Sequence, residues 1–364
     1  MTCTESTTEA GRTAHKNGDR PLRIWLPVVR AGSGSDVFTI RLEAGLRRAG
    51  HDPIVQWFPH RYELMPWRLR HVAPPPNIDV THANSWQGFA FKRKGIPLII
   101  TEHHYVEDPA FAPYRTASQA AYHRLFISRC LRRSYEAADA IVAVSRHTAK
   151  AMESKLGVEI PYIYNWVDTN IFGPASEPTA AAPSYQNRPF RLLFIGNPSI
   201  RKGADLLPAL ANRLGDKFEV RCLGGLRRQH ADRESPSNLV QLSPVKPEEM
   251  PAVYKSADAA LVVSRYEAFG YVALEAMACA KPVVGFEGTG TTEICVHGET
   301  ALLGPVDDLD TLTSHARRLL NEPLLAERLG QSGYRRAVEA FNETDAIRRY
   351  LGTYLRVLEK TDYV

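Results

Sequence analysis

Ser264-Arg-Tyr-Glu267-Ala-Phe-Gly270-Tyr-Val-Ala-Leu-Glu275-Ala-Met-Ala-Cys-Ala-Lys-Pro282-Val-Val284 says more about the fold than any other stretch of this chain. It follows the apolar run Ala259–Val263, which reads as a buried strand, and passes into a segment of helical length near Gly270. Glycine at such a turn lets the backbone come close to a ligand, and the unpaired amides at the helix start suit an anion. Glu267 stands before the helix and Glu275 falls in its second turn, so the carboxylates need not share a face and can reach different depths of one site. The plainer reading is a pair of solvated surface carboxylates, as most glutamates are.

The same alternation extends in both directions. Upstream, Arg23–Val29, Ile54–Phe58, Asp79–His82, Pro97–Thr101 and Ala140–Val144 read as strands, with helical patterns over Val37–Ala49 and Ser118–Ala138. Gly173–Pro189 (GPASEPTAAAPSYQNRP) breaks the rhythm and is the expected linker. Beyond it come strands over Phe190–Ile195, Phe218–Leu223, Leu239–Leu242 and Pro282–Phe286, helices from Gly203 and Pro247, and helices to the end. Strands separated by helices imply parallel sheets, so the expected class is α/β in two lobes, residues 21–172 and 190–345. A tail over 1–20, the linker over 173–189 and a terminal helix over 346–364, packed back on the first lobe, complete the expected division. Ligands of open parallel sheets bind beyond the carboxyl ends of the strands, which puts the expected site in a cleft between the lobes.

The 364 residues, 44% hydrophobic and 23% charged, can fill a core in each lobe, and a formal charge of +5 favours anionic partners only weakly. Cys3, Cys130, Cys222, Cys279 and Cys295 form no CxxC pair, which argues against a disulfide framework or a zinc site and suits a reducing, cytoplasmic compartment. Met1–Arg20 is polar and unlike a signal peptide, and no apolar run reaches the ~18 residues of a spanning helix, so membrane contact is expected to be peripheral at most.

The opening stretch, with its E-x7-E spacing, internal Phe-Gly, EAMA and PVV, resembles the donor-site signature of glycosyltransferase family 4. Further segments resemble the family in chain order: Val144-Ser145, Tyr164-Asn-Trp-Val-Asp-Thr-Asn-Ile-Phe172, Leu193–Gly196 through Lys202-Gly203, Pro247–Asp258 and Gly288–Glu293. The resemblance implies a GT-B fold, two Rossmann-like lobes whose parallel sheets face a central cleft. It implies a retaining, metal-independent transferase, with no cofactor, that moves a hexose from a nucleotide sugar to a glycan or lipid-linked acceptor in bacterial-type polysaccharide or glycolipid synthesis.

The resemblance also implies roles. Glu267 would contact the donor sugar's hydroxyls and Glu275 the ribose, while the backbone of Phe269, Gly270, Tyr271 and Val272 would meet sugar and diphosphate. Val245, in the loop Ser243-Pro-Val245, would border the base. The family places an arginine after the glycine of the phosphate loop and a lysine five positions later; here Lys202 is kept but Asn197 stands in the arginine's place. Either Arg201 supplies the charge or Asn197 donates a neutral hydrogen bond. Gly32 and Gly34 match the glycine loop facing the donor phosphate, although Val37 replaces the third glycine of a dinucleotide fingerprint. His103 is expected near the reacting carbon, with His104 the alternative and a structural role of equal weight. His103, Lys202 and Glu267 form the expected catalytic set. Trp166 replaces a small residue and is expected to alter the acceptor surface; Asn165 and Asp168 either shape the same end of the cleft or stabilise their turn.

Asp308-Leu-Asp310 has the letters of a metal-binding DxD, but it precedes the helix Thr311–Leu320, whose start an aspartate complements. Trp67-Arg-Leu-Arg70, Phe91-Lys-Arg-Lys94 and Arg124, Arg129, Arg132 and Arg133 mix aromatic and basic side chains that suit an anionic membrane or a lipid-linked diphosphate acceptor, although an ordinary solvated face is the plainer reading. No nucleic-acid module is recognisable. Two rival readings keep the two lobes: a nucleotide-sugar epimerase, which needs no acceptor, and a non-catalytic sugar-nucleotide-binding protein.

Overall fold

The computed structural model describes residues 20–174, 188–224 and 235–361. The expected tail up to residue 19 and linker residues 175–187 lie outside them. Lobe one contains β1 (Arg23–Val29), α1 (Gly34–Arg48), β2 (Asp52–Phe58), β3 (Val80–Asn84), β4 (Leu98–Glu102), α2 (Ala117–Tyr122), α3 (Ser128–Ala137), β5 (Ala140–Ala143) and α4 (Arg146–Leu156). Its strands pair in parallel in the order β2-β1-β3-β4-β5. All five residues of β4 are buried, as strands with both faces covered require.

Lobe two opens with β6 (Phe190–Ile195), α5 (Leu207–Leu214), β7 (Phe218–Leu223), β8 (Leu239–Gln241), α6 (Met250–Lys255) and β9 (Ala259–Val262). It continues with α7 (Tyr271–Ala278), β10 (Val283–Phe286), α8 (Thr291–Ile294), β11 (Ala301–Gly304), α9 (Leu309–Asn321) and α10 (Pro323–Ala340). The sheet order is β11-β10-β9-β6-β7-β8, again parallel. The winding reverses between β1 and β3 in one lobe and between β6 and β9 in the other, and ligand crevices form beyond the strand ends at such points.

α7 is wedged between its sheet and α10. Its residues from Ala273 to Ala278 are all buried, and a Cβ on Gly333 of α10 would stand 3.0 Å from Met277 Cγ. The small side chains of the EAMA segment let two helices and a sheet pack this closely, so α7 has little freedom to shift. The last helix, α11 (Glu343–Thr361), leaves lobe two and joins the core of lobe one through Ala346, Ile347, Tyr350, Tyr354 and Val357, against Leu26, Phe38 and Leu42. Inside that core His82 bridges the hydroxyls of Tyr354 (Nδ1, 2.7 Å) and Thr101 (Nε2, 2.7 Å).

Three expectations change. α1 starts at Gly34, ahead of Val37, because the Asp36 carboxylate accepts the amides of Ala31 (3.1 Å) and Gly32 (2.9 Å) and folds the glycine loop onto the first turn. The helix expected over Ser118–Ala138 is divided by a π-helical turn at His123–Ile127. Trp166 is not on an acceptor surface: it is 1% exposed, in the core of lobe one, with its ring 5.7 Å from Phe38. A large indole there fills the space between α1 and α11.

Tyr354→Phe should leave the buried His82 nitrogen unpaired at a cost of about 1–3 kcal/mol. A lower thermal midpoint is expected; an unchanged one would show that the histidine finds another partner.

Candidate active site

The two loops at the lobe-two reversal are held together by a glycine. After β6 the chain makes a 3-10 turn over Ile200–Lys202, capped by Ser199, and leaves it at Gly203 with φ +71°. A Cβ on Gly203 would stand 2.1 Å from the Val263 carbonyl oxygen at the end of β9, so neither that conformation nor that approach suits another residue. Arg265 ties the loops further, with its guanidinium on both oxygens of Asp205 (2.8 and 2.8 Å), on Asp307 (2.6 Å) and on the Ile200 carbonyl (2.5 Å).

This close approach brings three of the expected residues into one charge cluster. Lys202 Nζ pairs with Glu267 Oε1, and Arg201 Nη1 lies 3.5 Å from Glu267 Oε2 while donating to the Tyr266 carbonyl at 3.0 Å. Burial alone would raise the Glu267 carboxyl, but Lys202 and then Arg201 outweigh it and hold its pKa at about 2. The Glu267 backbone is clamped as well: its amide donates to Thr289 Oγ1 (2.7 Å), and its carbonyl accepts from that hydroxyl (2.7 Å) and from the Gly290 amide (2.8 Å). Between Arg201 and Asn197, it is Arg201 that meets the carboxylate; Asn197 is exposed on the loop.

Immediately after this cluster Phe269 is buried, and Gly270, at φ +109°, starts α7 with no side-chain cap. The amides of Tyr271 and Val272 therefore open the helix with the positive end of its dipole. Val245 lies half-buried in the loop that follows β8. From lobe one, Gly34 faces this turn: a Cβ there would stand 3.3 Å from the Tyr271 ring, whereas a Cβ on Gly32 (φ +63°) would meet nothing within 4 Å.

The adjacent histidines have different neighbours. His103 lies 4.5 Å from the Phe38 ring on α1, with its Nε2 buried and unpartnered. His104 packs 4.6 Å from Phe111 and 5.5 Å from Tyr266, beside the Arg201–Lys202–Glu267 cluster. Burial lowers both to about 3, with Arg201 adding to the effect at His104, so both rings are neutral near pH 7.

Several residues that meet here had no sequence signal. Tyr266 donates across the lobes to Asp108 Oδ2 (3.0 Å), which also meets His147 Nε2 (2.7 Å). The Glu293 carboxylate accepts the Arg146 (2.9 Å) and His147 (2.5 Å) amides at the start of α4. Glu275 is 8% exposed; its Oε1 accepts from Arg41 of α1 (2.6 Å) and its Oε2 from Tyr254 (2.9 Å). Tyr254, Tyr266 and Glu293 lay in segments singled out by sequence, Pro247–Asp258, Ser264–Val284 and Gly288–Glu293, but without these partners; Arg41, Asp108 and His147 had no such signal and act on partners far along the chain. Asp168 accepts the Asn170 amide (3.0 Å), a turn-stabilising bond, and Asn165 is buried.

The chain as a whole has counterparts among known proteins. Residues 39–171 match the model of Glycosyltransferase Family 4, and residues 179–336 match that of glycosyl transferases group 1. The chain belongs to the family 4 glycosyltransferases. This glycosyltransferase is 28% identical over 315 residues to the alpha-maltose-1-phosphate synthase of Mycolicibacterium smegmatis, covering 76% of this chain and 79% of that one. In fold it resembles sucrose-phosphate synthase from Thermosynechococcus elongatus (TM-score 0.75, 18% identity, 93% of this chain and 100% of that one). It also resembles HepE of Anabaena, solved in complex with UDP-glucose (TM-score 0.72, 17% identity, 91% and 99%). The two-lobed fold is GT-B.

The neutral histidines should make the glycosyltransferase sensitive to mild acid. His82, His103 and His104 each sit at about 3 in the fold against 6.5 for the free group. The unfolded chain binds their protons first, so this stability is complete above 6.5 and is lost as pH falls toward 3. Urea midpoints should therefore drop between about pH 7 and pH 5, before Glu267 titrates. A flat profile over that window would show that the rings are protonated in the fold.

Proposed function

We propose that this glycosyltransferase is a retaining, metal-independent hexosyltransferase that uses a nucleoside-diphosphate sugar and a glycan or lipid-linked acceptor. The observation that carries the reading is the Lys202–Glu267–Arg201 cluster placed directly before the uncapped amino end of α7. Two cations and a row of helix amides suit a diphosphate. The ionised Glu267 beside them suits sugar hydroxyls, which would donate to its oxygens and free Lys202 and Arg201 for the phosphates. HepE, solved with UDP-glucose, has the same fold, which supports a sugar nucleotide as donor.

The chemistry then needs little from the protein beyond positioning and charge. The C1–oxygen bond to the diphosphate breaks, the acceptor oxygen forms its bond to C1 on the same face, and its proton passes to a departing phosphate oxygen. Lys202, Arg201 and the α7 amides stabilise the negative charge that grows on the leaving group. The neutral His103 and His104 can hydrogen-bond near the reacting centre without adding charge. No carboxylate nucleophile is required, so Glu267 and Glu275 need not follow the paired-carboxylate pattern of glycoside hydrolases. Asp308 is engaged as a helix cap, accepting the Thr311 amide (3.0 Å) and hydroxyl (2.6 Å), and Asp310 pairs with Arg213, which favours a structural role for the DxD letters.

Peripheral membrane contact is part of the reading. Contact of Trp67 with Phe126 (6.3 Å between ring centres) brings exposed Leu64, Trp67 and Leu125 together with Arg68, Arg124 and Arg129. Phe91-Lys-Arg-Lys94 drops out of this patch, since Phe91 is buried, Lys92 pairs with Asp139, and Arg93 donates to the carbonyls of Ala90 (2.9 Å) and Val72 (2.6 Å). Among the described residues no helix is long and apolar enough to cross a membrane.

Lys202→Ala should weaken nucleotide binding and lower turnover by about 100-fold, Glu267→Ala should lower turnover while sparing nucleotide affinity, and both should hold in EDTA. Wild-type transfer by Lys202→Ala would place the diphosphate elsewhere, and activity lost in EDTA but restored by Mn would end the metal-independent reading. Salt-sensitive co-sedimentation with phosphatidylglycerol vesicles, weakened in Trp67→Ala, is expected; no sedimentation at low salt would remove the membrane from the proposal.

A further inference from the structure

Glu275 is the glutamate that would hold the ribose, yet the strongest donor on it comes from the other lobe. Arg41 reaches out of α1 and puts Nη2 on Glu275 Oε1 at 2.6 Å, while its Nη1 donates to the Trp166 carbonyl at 2.8 Å. The guanidinium lies over the rings of Tyr271 (4.8 Å) and Phe172 (5.5 Å). Both side chains of the pair are 11% exposed. Burial works against the charge on Arg41, but Glu275, and then Tyr271, outweigh it and leave its pKa raised. The fork is thus fixed on four sides by two acceptors and two aromatic faces.

The second oxygen of Glu275 is held from within lobe two, by the Tyr254 hydroxyl at 2.9 Å. A carboxylate oxygen can accept two hydrogen bonds, so each oxygen keeps one position for a further donor. With one oxygen on Arg41 and the other on Tyr254, the plane of the carboxylate is set before any ligand arrives. That geometry exists only while the lobes are together, because Arg41 moves with α1 and Glu275 with α7.

We infer that Arg41 is a positioning residue for the donor: it presents the Glu275 carboxylate to the ribose diol, and it does so only in the closed arrangement of the lobes. The inference rests on the sugar-nucleotide reading of the site. By linkage, a nucleotide that uses this carboxylate binds the closed form more tightly and favours closure in return. An ordinary brace between lobes would change stability without changing nucleotide affinity. A latch that occupies the ribose position would do the reverse of positioning, and its removal would tighten binding.

The test is calorimetric titration of UDP, GDP and ADP into the full chain and into Arg41→Met, Arg41→Lys, Glu275→Gln and the Arg41→Met/Glu275→Gln double variant. Thermal unfolding confirms that each is folded. Arg41→Met should weaken the nucleotide that binds the wild type by about tenfold. Arg41→Lys, which keeps the charge but not the fork, should fall between. In the Glu275→Gln background the effect of Arg41→Met should vanish, since Arg41 acts through that carboxylate. Unchanged or tighter binding by Arg41→Met, or an additive loss in the double variant, would overturn the inference. If the wild type binds none of the three diphosphates, the donor reading fails instead. Small-angle scattering without nucleotide then still decides the closure half: a larger radius of gyration is expected for Arg41→Met, and an unchanged one overturns it.

Discussion

Gly203 lies against the carbonyl of Val263, and the whole charged end of lobe two depends on that contact. The loop after β6 and the loop after β9 flank the point where the winding reverses, and they can touch only because no Cβ stands between them. Their contact places Lys202 and Arg201 on Glu267, and Arg265 fixes the spacing by holding Asp205, Asp307 and the Ile200 carbonyl at once. Burial pushes the pKa of this carboxylate up and its cations hold it down, while the cations would repel one another without it. Each half of the cluster keeps the other charged, and a ligand that offers both hydroxyls and phosphates can take over both sets of contacts.

The lobes are joined by two kinds of surface with different physical character. α11 is anchored in lobe one by Ile347, Tyr350, Tyr354 and Val357, an apolar contact that water cannot replace. Around the site polar contacts between the lobes stand beside aromatic ones: Arg41 on Glu275, Tyr266 on Asp108 and Glu293 on the amides that open α4, with Phe111 and His104 against Tyr266 and Tyr164 against Phe269. Water or ligand atoms can substitute for the polar bonds at modest cost, which the apolar contacts do not allow.

Much of the fold was legible in the sequence because its signals are local. Strand runs such as Arg23–Val29, Phe190–Ile195 and Phe218–Leu223 end at the expected residues, since β-branched and apolar side chains with turn residues at each end describe a buried parallel strand directly. The capping role of Asp308 is equally local, requiring only a helix that opens directly after it and an amide three residues on. The E-x7-E stretch gave the turn, the helix and the positions of Glu267 and Glu275 for the same reason: one short segment contains them all.

What only the tertiary structure decided are the partners of those residues. Nothing near Arg41 in the chain marks it as the mate of Glu275, which stands 234 positions away, and a basic residue on an amphipathic helix reads as solvated. Trp166 is expected to alter an acceptor surface only because it replaces a small residue in its segment, while its neighbours in space, Phe38 and Tyr350, come from α1 and α11 and put it in the core. Phe91 and Arg93 likewise turned inward once the turn at Pro66–His71 closed over them. Periodicity records which face of an element avoids water; which charge meets which, and from which lobe, is settled only when distant strands bring their loops to the same place.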